Sequence, residues 1–375
     1  MKRIQQDTSA EGAAGTDESK LKVNNSQATS RTTASSTFQE KAMSHKSQHQ
    51  QNFLRCMTAA MLAAGVGIAG IAQAQESLNF AHVYETSEPY HEWALWAAEE
   101  IEERTDGRYS INVHAASSLG KESDINEGLS LGTVDIIYTG NQFAGRSYGP
   151  IGIAGAPYMF RDFDHWRAYA DSDLFKEIAQ GYQDATGNVP LAMNYYGRRH
   201  TTANKAINEP ADMENLKIRV PNAPMYMMFP EAVGANPTPI AFAEVYLALQ
   251  QGVVDAQENP LPTIKAKAFY EVQDYINLTG HITDSLITIA GGPLWNRLSE
   301  EDREIFRDVY MEAGEKITAD ILQQEEDLVA WFEEQGTTVN EVETGPFREA
   351  VMPHHNGEAA TWDQESYDRL QAIGE

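Results

Sequence analysis

From Ser77 onward the sequence predicts an α/β protein of two interleaved lobes, and three features carry that reading. Strand and helix patterns alternate, which implies a parallel-rich sheet covered on both faces. A second α/β pattern starts beyond Arg199. Strand character then returns over residues 276–290, where the chain can cross back to the first lobe, and neither an internal repeat nor a Pro- or Ser-rich linker marks off two separate beads.

The elements follow in order. Residues 78–84 read as a strand, and residues 88–103 as an amphipathic helix with Trp93, Leu95, Trp96, Ala97 and Ile101 on one face, ended by Thr105-Asp106-Gly107. A strand over 109–114, a short helix over 121–131 and a strand over 134–138 come next. The stretch 139–158, with its glycines, is too long for a simple connector and is expected in a pocket wall. Residues 164–180 read as one helix and 188–196 as a strand. The second pattern places a strand at Lys217, helices over 223–233 and 242–251, a strand over 253–257 and a helix over 262–269. A long helical segment over 299–335 precedes a strand near 337–342 and further helices. The lobes are expected at 75–196 with 285–324, and at 197–284 with 325–375.

The first part of the chain reads differently. Residues 1–49 are rich in Ser, Thr, Gln and Lys with few aliphatics, a composition that cannot bury enough surface to fold. Taking Met43 as the start, Lys46 and Arg55 form a basic region ahead of the apolar run 57–71, and Ala72-Gln73-Ala74 supplies a cleavage site, so a secretory signal peptide over a 1–74 leader is expected. The run is shorter than the roughly twenty residues a spanning helix needs. Cys56, the only cysteine, precedes it, so the mature chain has no disulfide, thiolate or cysteine metal site. Periplasmic localisation follows as the expectation.

Charge divides at the same boundary. Residues 1–75 carry eight of the 28 basic and five of the 55 acidic side chains, which leaves 20 and 50 and a mature net charge of about −30. Such a field disfavours nucleic acid and anionic lipid as partners. An anionic ligand then needs a locally basic site.

Three polar clusters punctuate residues 195–260: Gly197-Arg198-Arg199-His200-Thr201-Thr202, Lys217-Ile218-Arg219-Val220-Pro221-Asn222, and Gln257-Glu258-Asn259-Pro260. Ile218 and Val220 alternate with Lys217 and Arg219, so a short strand buries the aliphatics on one face and presents the guanidinium on the other. A fixed arginine suits a carboxylate, because its planar fork matches the two oxygens and its charge survives loss of water. Gln257 and Asn259 share a strand face. Ligands of parallel sheets bind outside the strand carboxyl ends, which makes His82, Tyr84 and Glu85 after the first strand, and Asn141 and Gln142 after the third, candidates for ligand hydroxyls.

These clusters, with Gly234-Ala235-Asn236-Pro237-Thr238-Pro239 leading into 242–250 and with Phe269-Tyr270-Glu271-Val272, resemble the periplasmic solute-binding proteins of tripartite ATP-independent (TRAP) transporters, and within them the sialate-binding branch. The resemblance implies a two-lobed periplasmic binding protein fold with crossing strands and a long lobe-spanning helix, no enzymatic activity, no cofactor or metal, and a membrane permease as partner. It implies that Arg219 grips a ligand carboxylate, that Arg199 is a second arginine of the pocket, that Asn222 and Asn259 add amide contacts and that Phe242 packs on the ligand. Two departures point away from sialate. Gly140-Asn141-Gln142-Phe143 stands where that branch places a glutamate and an arginine, and Val83 stands at its first-strand asparagine. A smaller hydroxylated acid, a uronate or an aldonate, is the expected ligand.

A hydrolase is the rival class. Glu85 with Asp135 or Glu244 is a conceivable acid/base pair, although fifty acidic residues generate such pairs by chance. No phosphate-cradling glycine loop is present, and His354-His355 reads as a solvated doublet. A secreted ligand-sensing subunit would share every feature of a transport receptor. A freely diffusing receptor is expected to be a monomer.

Overall fold

The computed structural model describes residues 75–374. The leader, the signal peptide and Cys56 lie outside the described residues. Nine strands form one mixed sheet in the order β2-β1-β3-β8-β4-β7-β5-β6, with β9 against β8. On one wing β1 (Glu76–Ala81) pairs in parallel with β2 (Tyr109–His114) and β3 (Ile136–Gly140). On the other, β5 (Lys217–Val220) lies between β6 (Asn236–Pro239) and β7 (Ala256–Pro260), again in parallel. Two long antiparallel strands join the wings: β4 (Val189–Ala203) and β8 (Tyr275–Ala290). The strand β9 (Thr338–Asn340) runs parallel to β8.

β4 continues seven residues past the expected end at 196. The polar cluster Gly197 to Thr202 looked like punctuation, but it stays in the sheet because β8 pairs along its whole length and its side chains find buried partners. The register of this pair slips at Pro190/Ala192, Tyr195/Gly197 and Arg199/Thr201. Gly197 has φ +111°, a conformation closed to L side chains, and a Cβ there would meet Pro260 at 2.9 Å. Gly280 on the facing strand has φ +50° and lies under the Arg198 guanidinium.

Two other expectations change. The stretch 139–158 folds into a helix Asn141–Ala144 and a 3₁₀ turn Gly149–Gly155, and it buries Ile151, Ile153 and Ala154 in the core; only Phe143 of it reaches the cleft described below. Residues 164–180 make two helices, Phe163–Ala170 and Asp173–Thr186. The break falls at Ser172, whose hydroxyl caps the second helix by accepting from the Phe175 N–H at 3.1 Å.

The helix Glu300–Glu334 is the long element the sequence predicts, about 50 Å from end to end at the usual rise. Ser299 caps it by accepting from the Asp302 N–H at 3.1 Å, and Glu300, Glu301 and Asp302 complement its dipole. Phe306, Val309, Tyr310, Ala313, Ile317 and Ile321 enter the main core, whereas Leu328 and Phe332 enter a second cluster with Val245, Leu249, Leu261, Ile264 and Phe269. One helix thus seals both ends of the sheet. The C-terminal stretch departs from the expected boundary: Arg369 pairs with Glu177 at 2.7 Å and His355 bonds the Pro157 carbonyl at 2.8 Å, so this part packs on the first wing's residues. No helix among the described residues is long and apolar enough to cross a membrane.

Glu88, at the head of the helix Pro89–Arg104, ties the wings together. Its carboxylate accepts from the Glu85 N–H at 2.8 Å and from the Thr263 hydroxyl at 2.7 Å, and Thr263 belongs to the helix Leu261–Ala266 of the other wing. Burial pushes this carboxyl up to about 7, against the pull of both hydrogen bonds. The folded protein therefore holds a proton that the unfolded chain releases near 4.5, and stability falls as pH rises between those values by roughly 3 kcal/mol at most. Glu88→Gln should raise unfolding stability at pH 8 by roughly 1–3 kcal/mol, with the gain vanishing below pH 4.5. Urea titrations at the two pH values measure it, and an equal difference at both would contradict the assignment.

Candidate ligand-binding cleft

A cleft of about 430 Å³ opens between the two wings, at the carboxyl ends of their strands. Arg219 stands at its base on β5. Burial of Ile218 and Val220 on either side of it was expected; burial of Arg219 itself, at 2% exposure, was not. The strand is flanked by β6 and β7 and covered on both faces, so the guanidinium stays inside the protein instead of reaching solvent. Its Nε donates to the Ile240 carbonyl at 3.0 Å, and Nη1 is buried with no partner. Among the described residues no carboxylate lies within ion-pair distance of it. Burial therefore lowers its pKa to about 10, with Arg199 pushing the same way and Glu258 against. The Phe242 ring sits 5.8 Å from its Cζ and forms one wall.

Arg199 lines the same cleft but is already neutralised. Glu258 grips it through both Nε and Nη2, Asp284 accepts from Nη1 at 3.1 Å, and the Asn259 side-chain carbonyl accepts from Nη2 at 3.2 Å. The rings of Tyr196 and Tyr226 lie 5.5 and 5.1 Å from its Cζ. Burial opposes ionisation of Glu258, yet Arg199 and a hydrogen bond from His281 outweigh it and hold that carboxyl at about 2. Burial raises Asp284, which also accepts from Gln142 at 3.2 Å.

Five of the residues singled out in the sequence come together: Arg219, Arg199, Asn222, Asn259 and Phe242 all line the cleft. Asn222 is exposed at the rim. Asn259 is buried, and its amide is partly spent: it accepts from Arg199 and Tyr196, and donates to Gln257 at 2.6 Å across the shared strand face.

Four of the five expected contacts from the first wing lie elsewhere. His82 is buried behind the cleft, bonded to His91 at 3.2 Å, and burial takes its pKa down to about 3, so it is neutral. Glu85 pairs with Lys267 at 2.6 Å. Asn141 is wholly buried, and Gln142 bonds the Gly155 carbonyl and Asp284. Two backbone features explain this. β1 ends at Ala81, so alternation no longer governs which way residues 82–85 point, and β3 runs directly into the helix Asn141–Ala144, which winds its side chains inward. Tyr84 does reach the cleft.

The first wing's wall is built instead by Ser117, by residues 120–124 at the start of the helix Glu122–Leu131, and by Val83 and Phe143. Glu122 was missed although it opens the helix that follows β2, on the carboxyl-end side where α/β sheets bind ligands. Its Oε1 accepts from the Gly140 N–H at 2.8 Å and the Thr139 hydroxyl at 3.0 Å. Burial nevertheless raises its pKa to about 7.

Neither rival chemistry assembles. Glu85 and Asp135 each hold a different cation, Lys267 and Arg297, while Glu244 is exposed at the cleft rim. His355 is buried rather than solvated, as an aromatic-packed carbonyl donor beside Trp362. No cluster among the described residues has the makings of a metal site.

The family model of the bacterial extracellular solute-binding proteins, family 7 (DctP), matches residues 80–361. The chain belongs to this family. That makes it a solute receptor of the TRAP class and not an enzyme. It is 36% identical to the sialic acid-binding periplasmic protein SiaP of Vibrio cholerae serotype O1 over 267 residues, 69% of this chain and 81% of that one. Two solved TRAP periplasmic solute-binding proteins share the two-lobed α/β fold. The one from Polaromonas sp. JS666, bound to D-erythronate, has TM-score 0.77 and 30% identity over 80% of this chain and all of its own. The one from Roseobacter denitrificans OCh 114, bound to L-galactonate, has TM-score 0.75 and 31% identity over 80% and 99%.

Because Glu258 and Asp284 are buried on Arg199, removing that cation strands two carboxylates. Arg199→Ala should cost about 3–5 kcal/mol in unfolding free energy without ligand. A loss under about 1 kcal/mol in chemical denaturation would show that the network is not what holds Arg199 in place.

Proposed function

We propose that the mature protein is a periplasmic receptor that captures a small sugar acid, a uronate or an aldonate, and delivers it to a TRAP membrane permease. The observation that carries this is Arg219, a buried guanidinium that faces the cleft without a carboxylate of the protein's own. Arg199, its neighbour, has two. A ligand carboxylate would complete Arg219 as Glu258 completes Arg199, with the planar fork matching both oxygens. The D-erythronate and L-galactonate held by the structural relatives support this ligand class. The cleft has the size of a small-molecule site.

The wings would act as lobes that shut on the ligand, turning about the register slips of β4 and β8 near Gly197 and Gly280. Residues 75–196 with 285–324 would form one lobe and 197–284 with 325–354 the other, the C-terminal stretch travelling with the first lobe, on which it packs. An open protein would take up the carboxylate on Arg219, and closure would exclude water and strengthen the pair. The closed shape is what a permease would read. Export by the signal peptide would place the receptor in the periplasm, as a monomer.

Calorimetry on wild type and on Arg219→Met tests the central assignment. The variant should lose at least about 30-fold in affinity for whichever aldonate or uronate binds wild type, in line with roughly 2–5 kcal/mol for a desolvated ion pair. Its thermal midpoint without ligand should equal or exceed that of wild type, because a buried unpaired charge has been removed. Undiminished binding would refute the role of Arg219, and a large drop in the midpoint would make the loss of binding a folding effect.

A further inference from the structure

The first wing's part of the cleft wall is acidic, and together with Tyr226 of the second wing it offers unused acceptors. Glu122 presents Oε1 to Gly140 and Thr139. Among the described residues, neither its Oε2 nor the phenolic oxygens of Tyr84 and Tyr226 form a hydrogen bond, and all three side chains line the cleft. They are also close together. A Cβ placed on Gly140 would sit 2.9 Å from the Tyr226 hydroxyl and 3.8 Å from Glu122 Oε1, so the two groups flank one spot on the backbone. Asp124 and Glu244 stand exposed at the rim.

We propose that Glu122, with the hydroxyls of Tyr84 and Tyr226, forms a subsite that reads ligand hydroxyls and excludes a second carboxylate, so that the cleft selects polyhydroxy monocarboxylates over the matching dicarboxylates. This rests on the sugar-acid reading of the site given above. A hydroxyl donates to a carboxylate oxygen, and a phenol can both donate and accept, so the three groups together suit a polyol chain. A ligand carboxylate has no proton to donate. Beside Glu122, which is ionised at a pH above its raised value of about 7, it would meet a like charge. Besides the two arginines, the cation lining the cleft among the described residues is Lys121, which is exposed and screened by solvent, so a second acid group finds no compensating partner there. Arg199 offers none either, being neutralised by Glu258 and Asp284.

The test pairs each aldonate with the diacid obtained by oxidising its far carbon: D-erythronate with meso-tartrate, L-galactonate with galactarate, D-gluconate with D-glucarate. Calorimetry on the mature protein at pH 8.5, where Glu122 is ionised, should show the best-bound monoacid favoured over its diacid by about 100-fold or more. Glu122→Gln keeps an oxygen for the Gly140 N–H, and it should shrink that ratio at least about tenfold by strengthening the diacid. Should that variant not fold, Tyr226→Phe serves, with an expected loss of about fivefold or more for the monoacid and little change for the diacid. Equal affinity of wild type for both members of a pair, or an unchanged ratio in Glu122→Gln, overturns the filter. If Arg219→Met then abolishes binding of both acids, the carboxylate site survives that failure; if wild type binds no monoacid of the panel, both proposals fall.

Discussion

Two guanidinium groups lie behind one cleft, and the chain neutralises only one of them. Arg199 is held by Glu258 and Asp284, with Asn259, Tyr196 and Tyr226 around it. Arg219 has a backbone carbonyl on one nitrogen, an aromatic ring beside it and an unpartnered Nη1. A charge removed from water without a partner costs several kcal/mol, and the fold tolerates it at this position because the rest of the sheet is built to keep it there. β5 is pinned between two parallel strands, and the long helix from Ser299 ties both cores to the crossing strands.

Much of this was legible in the sequence. The strand at Lys217 and the thirty-five-residue helix lie where pattern and punctuation put them, whereas the strand expected over 253–257 forms three residues later, at Ala256–Pro260. Arg219, Arg199, Asn222, Asn259 and Phe242 converge because local order in the chain, a strand followed by a turn, fixes their position relative to the sheet. What alternation could not supply was direction after a strand ends. His82 and Glu85 follow β1, and Asn141 and Gln142 follow β3; each counts as a carboxyl-end residue, yet the backbone turns them into the core or onto other partners. Nor could composition show that Arg199 is committed internally, since Glu258 and Asp284 reach it from different strands 59 and 85 positions away.

The wall opposite Arg219 completes an electrostatic contrast. The chain carries a formal net charge of −27 that repels anions at a distance, and salt screens it beyond about a Debye length. Inside the cleft, in the proposed reading, Arg219 would attract one carboxylate while Glu122, once ionised above its raised pKa of about 7, would repel a second. A receptor made this way gains its selectivity from the placement of two groups on two wings of one sheet, and closure of those wings would bring both to bear on one small molecule at once.

A crystal structure grown with the tightest-binding sugar acid tests the central claim most directly. The account predicts the ligand carboxylate against Arg219, at about 2.7–3.2 Å from its terminal nitrogens, with Arg199 still bound to Glu258 and Asp284. A carboxylate seated elsewhere, or Arg219 turned to a partner of its own chain, would contradict it.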